Sequence, residues 1–211
     1  MTAINPRPVL PNKNTLYLAR SGGGKSQALK QNPQIPKTGA RVILWDKSHD
    51  HKAHHYENGA SFGRAIRAGV NSGKGFRIAY SGGVDIDDFE WFCRVVWSVL
   101  NGNRLTYVVV EELSEVCIST AKATPKAAKL LNQGRKYGMI FHGTSQKPQE
   151  ISKTYYDQCP YKWIGPQIGA NIKKFAKETG AAESEVARLD DLQFLLWDGR
   201  ELKYKALKYK K

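Results

Sequence analysis

Five short apolar blocks punctuate the first two thirds of this chain: "NTLYLA" (14–19), "RVILWD" (41–46), "GFRIAY" (75–80), "LTYVVVEE" (105–112) and "MIFHGTSQ" (139–146). Each has the length of a strand and ends in glycine, proline or a polar run, so each is expected as a β-strand. "LTYVVVEE" is continuously apolar before its two acids, the mark of a strand buried on both faces. Between the blocks the apolar period lengthens to that of a helix. "KSQALKQ" and "SFGRAIRAG" are short helical segments. "DFEWFCRVVWSVLN" sets Phe89, Phe92, Val96 and Val99 along one face, with Asp85 or Asp87 placed to cap it. "TPKAAKLLNQGRKYG" is a basic helix ended by glycine. Strands alternating with helices imply an α/β fold around a parallel sheet.

After Gln146 the rhythm changes. "YKWIGPQ" is expected as a short strand and "ANIKKFAKETG" and "AESEVARL" as helices. "FLLWDGRELKYKAL" is expected as a hairpin turning in type I′ geometry at Asp198-Gly199. Prolines at 6, 8 and 11 make residues 1–13 an extended arm. Residues 14–211 then form one domain, with a basic tail from about 203 to 211. "HDHKAHHYENG" is expected as a solvated polar loop. His49, His51, His54 and His55 crowd it, but no helical or strand spacing fixes ligand geometry there, so a metal is not indicated.

Charge changes the picture. Lys and Arg number 33 against 19 Asp and Glu, a formal charge of +14 with a pI near 9.7. Such an excess implies a polyanionic partner, nucleic acid foremost. No apolar run has signal-peptide form or approaches the ~20 residues of a membrane span, so a soluble intracellular protein is expected. Cys93, Cys117 and Cys159 lack any C-x-x-C spacing, which argues for buried free thiols over disulfides or zinc.

The candidate chemistry begins in "LYLARSGGGKSQALK" (16–30). A strand, a glycine turn and a helix in that order are what a phosphate cradle requires. Ser21, Gly22, Gly23, Gly24, Lys25, Ser26 and Gln27 are the candidate nucleotide-binding residues, with Lys25 reaching the β- and γ-phosphates of ATP and Ser26 ligating Mg²⁺. Ala19 stands where the G-x-x-x-x-G-K-[ST] pattern has its first glycine, a small substitution tolerable at negative φ. Hydrolysis needs acids as well. Glu111 and Glu112 close a buried strand, the end where open α/β sheets bind ligands. Glu111 is assigned to Mg²⁺, directly or through water, and Glu112 to the attacking water; Glu115 is a surface residue. Asp46 follows its own buried strand, where a plain strand-end acid is one reading. Gln146 falls beside Glu112 if their strands are neighbours, positioned to bond water and γ-phosphate. Arg135 sits at the far end of that strand, out of reach of its own nucleotide but not of a neighbour's.

"SGGGKS", "VILWD", "VVVEE", "GRKYGMIFHGTSQKPQEI" and "ANIKKFAKETG…VARLDDLQFLLWDG" together resemble the FtsK/HerA superfamily of DNA-pumping ATPases over most of the chain. The resemblance implies a P-loop NTPase fold of the RecA-like/ASCE type, with a mainly parallel central sheet flanked by helices and a C-terminal β-hairpin extension. It also implies ATP with Mg²⁺, catalysis by Glu112, a sensing Gln146, an Arg135 acting in trans, and a homo-oligomeric ring, expected as a hexamer, around double-stranded DNA. In that family the position of Asp46 lies near the nucleotide, which is the other reading of this acid. Brevity and basicity make the chain most similar to the genome-packaging ATPases of tailless, membrane-containing viruses. The implied activity is ATP-driven translocation of a DNA genome into a preformed capsid, in the host cytoplasm or at the virion vertex beside capsid vertex proteins. A nucleotide-gated assembly or extrusion protein with slow turnover is the alternative, and a small-molecule kinase the third reading. The Lys/Tyr tail suits either phosphate contact or a basic edge strand.

Overall fold

The computed structural model describes residues 2–210. Nine strands form one sheet in the order β3-β4-β2-β5-β6-β1-β7-β8-β9. They are β1 (Thr15–Leu18), β2 (Arg41–Trp45), β3 (His54–Tyr56), β4 (Phe76–Tyr80), β5 (Thr106–Val110), β6 (Met139–Ser145), β7 (Tyr161–Ile164), β8 (Gln193–Trp197) and β9 (Leu202–Ala206). The first seven positions of the sheet pair parallel, whereas β8 and β9 are antiparallel additions. The expected five-strand alternation is present, and β6 separates β1 from β5, which brings three strand ends together along one edge.

The helices are α1 (Lys25–Gln31), α2 (Gly59–Asn71), α3 (Ile86–Val99), α4 (Pro125–Gln133), α5 (Lys153–Gln158), α6 (Ala170–Thr179) and α7 (Glu183–Ala187). They cover the sheet unequally. One core cluster draws on α2 through α7, while the cluster on the opposite face takes helix residues from α1 alone. Asp85 caps α3 by accepting the Asp88 N–H at 2.9 Å, and Phe89, Phe92, Val96 and Val99 are all buried as the spacing predicts. Trp45 is the hub of that face, edge-on to Phe89 and Phe92 at 5.1 and 5.5 Å between ring centroids. Such pairs add about 0.5–1.5 kcal/mol each beyond their burial. A methyl at Gly83 would stand 2.0 Å from the Trp45 ring, so Gly83→Ala would break this packing.

Three expectations are corrected. The histidine stretch is not wholly a loop: His54–Tyr56 pairs with β4 as an edge strand, because Asp46 folds the preceding residues back against the sheet. The hairpin does not turn in type I′ geometry. Gly199 has φ 92, but Asp198 is not at positive φ, and its carboxylate accepts the N–H groups of Arg200 and Glu201 in a four-residue loop. Cys93 and Cys159 are buried but Cys117 is only partly so, on the segment after β5 that leads away from the sheet edge, where its sulfur accepts the Ser152 N–H at 3.4 Å. The N-terminal arm is extended yet pinned: Ile4 bridges Asn101, and the Arg7 N–H reaches the Lys136 carbonyl at 2.6 Å. Of the basic tail, residues 203–206 belong to β9, and Lys211 lies outside the described residues. Among the described residues no helix is long and apolar enough to cross a membrane.

Candidate active site

β1 is fully buried between β6 and β7 and delivers the chain to Ala19, which is itself buried and not at positive φ. The turn that follows uses its glycines for different reasons. Gly22 and Gly24 hold φ of 74° and 95°, the left-handed region that side chains resist. Gly23 is needed for closeness: a Cβ there would meet Ala19 Cβ at 3.0 Å and the Arg20 carbonyl at 3.1 Å. α1 starts at Lys25 with no acid in its first turn. Its leading N–H groups, like those of any helix, have no intrahelical acceptor, and with no side-chain cap or first-turn acid its positive end is uncompensated from within the helix. Ser21 is exposed at the rim, Ser26 is half-buried, and Gln27 is buried.

Lys25 is also buried, and its ammonium bridges the cradle to the acids. Nζ lies 3.4 Å from the Arg20 carbonyl and 3.7 Å from Glu112 Oε1. Glu112 sits at φ 49° and ψ 67°, a left-handed conformation that costs a non-glycine residue free energy and is typical of functional turns. Its other carboxylate oxygen accepts the Gln146 N–H at 3.4 Å, since β5 and β6 are neighbours as expected. Burial pushes the Glu112 carboxyl above the usual range, against the pull of Lys25.

Glu111 is held differently. Its carboxylate bonds the His51 ring through one oxygen and the Thr144 hydroxyl through the other. The same hydroxyl accepts the Glu112 N–H at 3.0 Å, which ties the two acids to β6. Burial pushes the Glu111 carboxyl up, but the bonds from His51 and Thr144 outweigh it and hold the group below its ordinary value. Asp46 is fully buried and accepts the N–H groups of Asp50 and His51 at 3.0 and 2.9 Å, the contact that turns His51 inward.

The structure thus brings together Lys25, Glu111, Glu112 and the backbone of Gln146, whose side chain is exposed at the same edge. Glu115 is exposed and paired with Lys47 at 3.1 Å. Arg135 is not at this edge. It lies before β6, and its guanidinium donates to the carbonyls of Pro8, at 2.7 Å, and Leu10 of the N-terminal arm. Sequence reasoning missed His51 and Thr144 as site residues; the density of histidines directly after Asp46 is the signal that pointed to the first. It also missed two walls of the cradle from the distant C-terminal third. Pro166 accepts the Arg20 N–H at 2.8 Å, and Leu192, at φ 67°, donates its N–H to the Gly23 carbonyl. An N–H-lined turn backed by a buried ammonium, beside one raised and one lowered carboxylate, is equipped to hold a polyphosphate and take a proton from water.

No family model matches the sequence. Over 211 aligned residues the chain is 31% identical to protein P9 of Pseudoalteromonas phage PM2, covering 96% of this chain and 94% of that protein. Among solved structures it resembles the genome packaging NTPase B204 of Sulfolobus turreted icosahedral virus 2 in complex with AMPPCP. That match has a TM-score of 0.72 at 17% identity and covers 94% of this chain and 100% of the other. VirB4 of Thermoanaerobacter pseudethanolicus follows with a TM-score of 0.62 at 11% identity, covering 94% and 90%. At such identities the two structures speak to the fold alone. The chain belongs to one family with protein P9 of phage PM2, and its glycine cradle and sheet order give it the fold of the P-loop NTPases.

Proposed function

We propose that this protein is an ATP-driven motor that loads a double-stranded DNA genome into a preformed viral shell, working as a ring of identical subunits at the capsid vertex. The observation that carries the reading is the meeting of Lys25, Glu112 and the Gln146 backbone at one sheet edge. The family relationship and the +14 charge support it. Residues 14–211 act as the ATPase domain and residues 1–13 as its N-terminal arm, which Ile4 and Arg7 pin to the domain.

The residues present fit ATP with Mg²⁺. The turn from Ser21 to Ser26 cradles the phosphates and Lys25 sits between the β- and γ-phosphates, whereas the Gln27 side chain is turned to the C-terminal tail, its amide donating to the Lys210 carbonyl and accepting the Lys210 N–H. Mg²⁺, bound with ATP, supplies charge neutralisation on those phosphates. The Ser26 hydroxyl would hold it directly. Glu111 would hold it through water, because both its oxygens already have protein partners. Glu112, its carboxyl raised toward neutrality, orients the attacking water and accepts its proton. Gln146 bonds that water and the γ-phosphate, and Arg135 acts on a neighbouring subunit's nucleotide.

The deciding experiment is ATP turnover measured with no nucleic acid, with duplex DNA and with single-stranded DNA. A packaging motor turns over fastest with duplex. ATP binding without DNA-dependent turnover would instead identify a nucleotide-gated assembly protein.

A further inference from the structure

A groove of about 800 Å³ crosses the thinly covered face of the sheet, between the second half of α1 and the loop leading into β3. Leu29 and Ile35 are buried in its apolar floor. Lys30, Lys37, Lys52, Arg77 and Lys210 stand around it, and none of the lining residues is acidic. Among the described residues, no carboxylate lies within ion-pair distance of Lys30, Lys37, Lys52 or Arg77. Asp50 is within electrostatic reach of Lys30 but does not line the groove. Like charges gathered around one concave surface repel unless an anion fills it.

The inner wall matters as much as the charge. His51 lines the groove, and the same ring bonds Glu111 in the candidate active site. One side chain therefore separates the groove from the nucleotide-facing acids. Resting on the packaging reading above, we infer that this groove seats the sugar-phosphate backbone of DNA, with His51 carrying its occupancy to Glu111. The apolar floor takes the sugar edge and the walls take successive phosphates, an arrangement that positions a duplex without reading its sequence. His51 is a positioning residue here, acting through Glu111.

The test compares duplex binding, by anisotropy of a labelled oligonucleotide, across a salt series. Lys30, Lys37 and Lys52 are exposed, so Lys30→Ala/Lys37→Ala/Lys52→Ala should keep the fold, ATP affinity and DNA-free turnover. Its slope of log K against log salt should fall by about 0.9 for each phosphate no longer neutralised, hence by about 2.7 for three. Lys126→Ala/Lys173→Ala/Lys177→Ala removes the same charge from exposed positions outside the groove and should bind DNA like the wild type. His51→Gln should bind duplex normally while losing its stimulation of turnover. Equal losses of affinity in both lysine variants, or none in the groove variant, would overturn the groove and leave the packaging reading standing. A parallel fall in ATP affinity would reassign the groove to the nucleotide. Full stimulation in His51→Gln would remove the coupling. A wild-type protein that binds no duplex sinks groove and packaging reading together.

Discussion

Lys25 Nζ stands 3.7 Å from Glu112 Oε1, joining the cradle to the acid that ends β5, with the two side chains only 9% and 25% exposed. No other cation of the turn is so placed. Lys25→Ala should therefore abolish ATP binding, which a fluorescent ATP analogue would report directly. Ordinary affinity in that variant would sink the cradle assignment.

Glu112→Gln keeps the shape of the site and removes the base. It should bind ATP and hydrolyse it roughly 10²–10⁴-fold more slowly. Because burial raises the wild-type Glu112 carboxyl, its acid limb of activity should lie above the ordinary glutamate range. Activity should disappear as pH falls through that raised value, and the residual activity of the variant should lack the limb. A variant as fast as the wild type moves the role to Glu111 or Glu115.

Arg135 and Gln146 flank β6, a seven-residue strand, which spans roughly 20 Å at ~3.3 Å per residue. A guanidinium so far from its own cradle is placed for a neighbour's, and because both its bonds to Pro8 and Leu10 run through Nη1, the arm holds it while leaving other N–H donors for a phosphate. Trans-acting arginines accelerate other nucleotide hydrolases by ~10³–10⁵. Arg135→Ala subunits should bind ATP without turning it over, and mixing them with Lys25→Ala subunits should recover part of the activity. An inactive mixture with co-assembly confirmed rules Arg135 out.

His142 is completely buried beneath Tyr17, whose hydroxyl lies 3.0 Å from its Nδ1, and its Nε2 has no partner. Burial holds its pKa down at about 3, from an ordinary 6.5. The unfolded chain takes up a proton below about pH 6.5 and the folded one resists until about 3, so stability should fall as pH drops through that window. His142→Gln, although less stable at neutral pH, should show a shallower fall. Parallel thermal-denaturation profiles for the two proteins across the window would refute this.

Repeating elements and local chemistry were legible from the chain alone, because both depend on short-range rules. The apolar blocks became β1, β2, β4, β5 and β6, and "KSQALKQ" became α1 residue for residue. The glycine turn was legible because positive φ and close approach are demands that few residue types meet. The pairing of Glu112 with Gln146 was legible only conditionally, since it required β5 and β6 to be neighbours.

Strand order, and everything that depends on it, emerged only with the folded chain. The edge strand His54–Tyr56 has too few residues and too little apolar character to announce itself, and exists because β4 offers it a partner. His51 looked like one solvated histidine among four. Its burial against Glu111 follows from Asp46 drawing two loop amides inward, a contact between polar groups that carries no periodic signature. Leu192 and Pro166 wall the cradle from the far end of the chain because β7 and β8 extend the sheet beside β1. Likewise Arg135 was legible as a cation at a helix end, but its hold on the arm was not, because carbonyl acceptors exist at every residue and only folding selects which two it meets.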